Sequence, residues 1–341
     1  MLVAVERGEI IGIAPFYSWR GTLSGVPVRR LDFAGHNFSI PNFIIRTRAQ
    51  DVINAFLDFL HEHVTSWDVM VIKGPPTDSE DFSIISNWLT RKRYEHCHDS
   101  DNVYVIDLMG TWENYLTKKG RNLKKQLTRA STRTESIGAL TFHMTKNIQK
   151  SDLVMVMDQL CAISLNSWKG KDGSAIGSRA HVEHFYRQIA EAFNESGELD
   201  ISTLTIGGKD IAYLLGLSTG GVYYPIDTAY DRAYESASPG TLVNLLTIKE
   251  LFNRGYQQCV SEGDHAYKNR WATSSYEIAV VTIFSGSLRS RLSRTMRLHV
   301  RPGMQAAHSF CREMWANLPP VRLLNDTSQH LFDRFKRRDS R

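Results

Sequence analysis

The sequence predicts a mixed α/β protein made of two similarly wound domains, and three observations carry the prediction. The order hairpin, strand, helix, strand occurs twice along the chain. The two hairpin turns, at Arg7-Gly8 and Gly207-Gly208, lie 200 residues apart. A length of 341 residues with 42% hydrophobic content is enough for two cores.

The elements follow in order. VAVERGEIIGIAPFY alternates apolar and polar residues on either side of a glycine turn and reads as a hairpin. VRRLDFAG and NFIIR read as extended, AQDVINAFLDFLHEHV carries helical apolar spacing, and DVMVIKG is a strand. TWENYLTKKGRNLKKQLTRASTRTES is a polar, basic helix-forming run, followed by a strand-like ALTFHMT and two helical patterns, LVMVMDQLCAISLNSW and VEHFYRQIAEAFNESG. The second hairpin, ISTLTIGGKDIAYLLGLS, leads to the extended GVYYPIDTAY, the helix TLVNLLTIKELFNRG and the strands QQCVSEG and YEIAVVTIF. This places a first domain at 1–109, a second at 110–284 and a basic helical tail at 285–341. The first domain has nothing before its hairpin, so it reads as N-terminally truncated.

Composition narrows the function classes. No apolar run approaches the ~18–20 residues of a membrane span, and the start has no signal-peptide pattern. Cys97, Cys161, Cys259 and Cys311 have no zinc-like spacing, so the expectation is free thiols in the cytoplasm and no metal. The twelve histidines form no H-E-x-x-H motif and there is no nucleophile elbow, which counts against hydrolases. From Ser285 to Arg341 there are 12 Lys/Arg against 4 Asp/Glu. The stretch LRSRLSRTMRLHVR is therefore either a solvated helix or one that contacts a partner or anionic surface.

The chemistry concentrates late in the chain. A strand bearing Tyr223, Tyr224 and Asp227 runs through DRAYESASPG into a helix start. Ser238 is a candidate N-cap, Pro239 presets a helical φ, Gly240 leaves the backbone bare, and Thr241 completes an entrance suited to phosphate oxygens. Ordinary helix starts share these residues; it is the position after a hairpin and an aromatic strand that singles this one out.

YYPIDTAYD, SPGTLVNLL and EGDHAYKNRW, in that order, resemble the GCN5-related N-acetyltransferase (GNAT) fold. More closely, they resemble double-domain acyltransferases of the cellulose-biosynthesis type, relatives of the Fem peptidyl transferases, across most of residues 1–284. The resemblance implies two GNAT-like domains and acyl transfer from acetyl-CoA or another acyl-CoA to a small-molecule or saccharide acceptor. Ser238, Pro239, Gly240 and Thr241 would then bind the donor pyrophosphate. It further implies that Lys268 stabilises developing negative charge, that Tyr267 protonates the leaving thiolate, and that Asp264 or Glu262 takes the acceptor's proton. Asp227 is either a structural carboxylate or an acceptor-binding group or base. Trp168, Lys169, Tyr224, Arg270 and Trp271 are candidate substrate contacts. Two rivals remain open: a scaffold that keeps the fold without catalysis, and nucleic-acid contact through KKGRNLKKQLTR and the tail. A tRNA-carried donor, as in Fem enzymes, joins that second rival to acyl transfer.

Overall fold

A computed structural model describes residues 1–34, 40–263 and 266–300. In chain order the strands and helices are β1 (Leu2–Glu6), β2 (Glu9–Ala14), β3 (Phe16–Leu23), β4 (Val26–Phe33), β5 (Ile44–Ile45), α1 (Ala49–His63), β6 (Val69–Pro76), α2 (Glu80–Lys92), β7 (Glu95–Asp107), α3 (Trp112–Lys119), α4 (Arg121–Glu135) and β8 (Leu140–Thr145). Next come α5 (Lys150–Leu165), α6 (Trp168–Asp172), α7 (Ala180–Glu195), β9 (Leu199–Ile206), β10 (Lys209–Thr219), β11 (Val222–Tyr230), α8 (Pro239–Asn253), β12 (Gln258–Glu262), α9 (Ala266–Trp271), β13 (Ser274–Phe284) and α10 (Leu288–Thr295). They form two compact units; the second spans residues 101–277, and the first takes in residues on both sides of it in sequence.

In the first unit the strand order is β3-β4-β6-β13, beside a separate sheet of β1, β2 and β5. Pro15 interrupts the run from β2 to β3, because proline cannot donate to a ladder. The parallel pair β4 and β6 is joined through the crossover helix α1, whose Val52, Ile53, Phe56, Leu57 and Leu60 form one buried face. That face belongs to the same core as Met70, Ile72 and Val281. Gly12 makes room for it, since a Cβ there would lie 2.5 Å from a Val52 methyl. Helix α2 is an element the sequence reading passed over, although its signal is present: Ser79 caps the Phe82 N–H, and Glu80 and Asp81 fill the first turn.

In the second unit the order is β7-β12-β11-β10-β9-β8. Alternation along β10 serves two layers. Ala212 and Leu214 join the core of α4 and α8, while Tyr213 and Leu215 join that of α5 and α7. Helix α8 buries Leu242, Val243, Leu245, Ile248, Leu251 and Phe252. The strands β11 and β12 run parallel but pair only at Val222↔Gln258 and Tyr223↔Cys259. Beyond Tyr223, β11 stays with β10 through a register shift between Pro225 and Asp227, while β12 follows β7. A gap therefore opens between them.

The hairpin, strand, helix, strand order expected twice is present in both units. The tail prediction is partly covered. Helix α10 forms over Leu288–Thr295, and two of its neighbourhood's arginines pair with carboxylates of the same unit, Arg294 with Glu95 at 2.6 Å and Arg297 with Asp99. Residues 301–341 of the tail lie outside the described residues, as does Cys311; Cys97, Cys161 and Cys259 are free. Among the described residues no helix is long and apolar enough to cross a membrane.

Candidate functional site

The divergence of β11 from β12 sets the site, because β11 then delivers the chain to the start of α8. A 3-10 turn over Arg232–Ala237, held by Asp231 accepting from the Ala233 N–H, leads to Ser238. Ser238 takes up the left-handed conformation (φ 58°, ψ 46°). This corrects the capping role expected for its hydroxyl. A side-chain cap needs extended backbone at that position, and here the Ser238 carbonyl instead accepts from the Thr241 and Leu242 N–H groups at 3.1 and 3.2 Å. Gly240 is corrected too: a Cβ would sit 2.8 Å from the Tyr230 ring, so the glycine gives that ring its place rather than baring the backbone. Pro239 is buried and has no N–H to offer. The first turn of α8 carries no acidic residue, so the positive end of its dipole is uncompensated.

Facing that entrance is a cavity of about 660 Å³. Lys119 at the end of α3, Lys125, Arg129 and Arg133 of α4, and Arg270 of α9 line it together with Ser238 and Thr241. The spacing 125, 129, 133 puts three cations on one ridge of α4, while Leu123 and Ala130 beside it are buried in the core shared with α8. Burial pushes the Lys119 ammonium down from its ordinary value. These α4 cations were not placed in the site by the sequence reading, though their i, i+4, i+8 spacing was the signal.

A second cavity, about 590 Å³, occupies the gap between β11 and β12. It brings together Trp168, Lys169, Asp227, Gly240, Thr241, Tyr267, Lys268, Arg270 and Trp271 from the residues singled out in sequence. Asp227 is held from both sides: Lys169 Nζ donates to one oxygen and Tyr213 Oη to the other, each at 2.5 Å. Burial pushes the Tyr213 phenol well up, and the Asp227 charge adds to it. With both oxygens engaged, Asp227 suits the structural-carboxylate alternative, fixing Lys169, better than it suits a base.

Lys268 donates to the Glu262 carbonyl, and its pKa is lowered mainly by burial, against the pull of Glu262 and Cys259. Tyr267 packs 4.9 Å from Trp271, and burial raises its pKa, so the phenol keeps its proton. The buried Cys259 thiol, also on the cleft wall, is pushed up to about 12, which leaves it protonated. Two expected contacts stand apart. Tyr224 is on the exposed side of β11 and lines neither cavity, since successive side chains alternate and Tyr223 takes the inward place. Glu262 lies at the end of β12 outside the lining of either cavity. Asp264 lies outside the described residues.

Comparison with known proteins agrees with this architecture. Residues 121–269 match the acetyltransferase (GNAT) domain family. FemX shares the fold at a TM-score of 0.56 and 12% identity, over 85% of this chain and 89% of that one. L-PGS from Bacillus licheniformis aligns at 0.51 and 13% identity, over 82% and 88%. The C-terminal domain of a protein assigned as a lysylphosphatidylglycerol synthetase from Agrobacterium fabrum aligns at 0.51 and 12%, over 82% and 86%. No curated protein matches in sequence. The chain is thus a mixed α/β protein of the GNAT fold, and the residues that match the acetyltransferase (GNAT) domain family, 121–269, supply most of the lining of both cavities.

Proposed function

We propose that the chain is an acyltransferase that moves an acyl group from acyl-coenzyme A to an amine or hydroxyl acceptor. The observation that carries this is the continuity of the site: a cationic cavity at an uncompensated helix start shares lining residues with a cleft that holds Lys268 and Tyr267. The cavity suits the phosphates of the donor, and the cleft suits its thioester and the acceptor.

In the reaction, the acceptor nitrogen or oxygen bonds to the acyl carbon, the carbon–sulfur bond breaks, and sulfur leaves with the electron pair. Lys268 meets negative charge as it develops on the carbonyl oxygen, a gain largest where water is excluded. Tyr267 stays protonated and can donate to the departing sulfur, and the proton that the acceptor gives up on forming the new bond, carried by solvent, restores the phenol. Asp227 holds Lys169 in place within the cleft. The acceptor class follows the cellulose-biosynthesis-type resemblance and is a sugar, a polysaccharide precursor or a small amine in the cytoplasm.

Incubation with labelled acetyl-CoA and a panel of amino sugars, nucleotide sugars and amino acids tests this, with transferred label expected. Lys268→Met should lower kcat by about 100-fold while donor KM moves little. A donor that binds without any transfer would favour the scaffold reading, and a chain that does not bind coenzyme A would end the proposal. One observation favours a second reading: Arg121, Lys124, Lys125, Arg129 and Arg133 are all exposed on α4, a charge density suited to an RNA-carried donor. Competition of tRNA against coenzyme A would separate the two.

A further inference from the structure

Gln126, Thr241, Arg270 and Trp271 line both the basic cavity and the cleft, and so mark the junction between them. Trp271 is the buried member, 4% exposed, and its indole Nε1 has no hydrogen-bond acceptor among the described residues. Buried donors in folded proteins are nearly always paired, so an orphaned one on a residue that lines a cavity points to a missing acceptor. The residue is also held firmly. Tyr115 Oη donates to the Trp271 carbonyl at 2.7 Å, Lys119 donates to the neighbouring Ala272 carbonyl, and the Thr273 N–H donates to the Val105 carbonyl at 2.8 Å. The indole ring packs beside Tyr267.

We infer that the Trp271 indole N–H binds the uncharged linker of the donor, donating to an amide carbonyl oxygen between the anionic nucleotide head and the thioester. This rests on the function proposed above and adds a residue and a ligand group to it. Charge separates head from linker: Lys119, Lys125, Arg129 and Arg133 line the basic cavity and not the cleft. A phosphate therefore has four cations to meet before the junction; there Arg270, Gln126 and Thr241 can also donate, and the buried indole N–H adds a neutral donor that matches a neutral carbonyl.

The experiment compares the unaltered chain with Trp271→Phe, which keeps an aromatic ring and removes the N–H. Two probes are titrated calorimetrically: coenzyme A, and adenosine 3′,5′-bisphosphate as the head without its linker. Coenzyme A affinity should fall about 10-fold in the variant while head affinity is unchanged. The ligand-free melting temperature should hold or rise, because an unsatisfied buried donor is gone. Unchanged coenzyme A affinity overturns the inference, and so does an equal loss for both probes, which would place the indole on a phosphate. A second measurement avoids dependence on the variant's folding: in the unaltered protein the Trp271 indole proton resonance should move downfield with coenzyme A and stay put with the head alone. An unaltered chain that binds neither probe refutes the proposed function, and this inference with it; binding of coenzyme A without the two Trp271 effects refutes the inference alone.

Discussion

The crossover helices α1 and α8 use one backbone device for different ends. Each is 15 residues long, and each is entered through a left-handed residue, Arg48 (φ 57°, ψ 48°) or Ser238 (φ 58°, ψ 46°), with no side-chain cap. The third helical position divides them. In α1 it is Asp51, whose carboxylate complements the helix dipole and pairs with Arg48 at 2.8 Å. In α8 it is Thr241, neutral and on the lining of both cavities. One entrance satisfies its own charge from within the first turn. The other leaves that charge open and is faced by lysines and arginines, so an anion is its natural complement. Repetition of a fold need not repeat a site: under the function proposed above, one residue at the helix start, with the cations around it, distinguishes the copy suited to a phosphate.

The comparison can be sharpened by removing the cations while leaving the helix start alone. Replacing Arg129 and Arg133 with alanine should weaken coenzyme A binding by about 10-fold and flatten its dependence on salt, since both side chains line the basic cavity and act through charge. Titrations at two ionic strengths would check this, and an unchanged salt dependence would remove α4 from the site. A smaller effect is expected in the other copy. Asp51→Thr should lower the melting temperature by about 1 °C, measured by scanning calorimetry, because the exposed helix start loses its dipole partner. It should not create a second donor site, as the arginines beside the start of α1, Arg46 and Arg48, already pair with Glu9 and Glu6. A gain of coenzyme A binding there would break the comparison.

Much of this was legible in the sequence, for reasons that particular elements make clear. The repeated order of elements shows in the change of apolar period, as in the alternation of VAVERGEII against the helical spacing of VINAFLDFL. Burial follows such patterns directly. The entrance to α8 was located correctly but its parts were misread, since Ser-Pro-Gly in isolation favours an extended cap residue. The left-handed turn at Ser238 depends on what surrounds it, and Gly240 is required by the ring of Tyr230, ten residues earlier. Asp227 stayed open between a structural carboxylate and an acceptor-binding group or base because its partners, Lys169 and Tyr213, are distant in sequence and come together only through the fold. The orphaned indole of Trp271 has no sequence signature at all, because a missing partner is a property of three-dimensional packing.

The central claim is that the start of α8 holds the donor phosphates, and Thr241→Asp tests it most directly by giving α8 the carboxylate that α1 has at Asp51. The substitution should favour the helix itself, so a loss of binding would not be a loss of folding. It is cleaner than any change at Gly240, where a side chain would strike Tyr230. Calorimetric titration should give one coenzyme A per unaltered chain, and an affinity at least about 100-fold weaker in the variant, roughly 2.7 kcal/mol. Two molecules bound per chain, or equal affinity in a folded Thr241→Asp variant, would contradict the account.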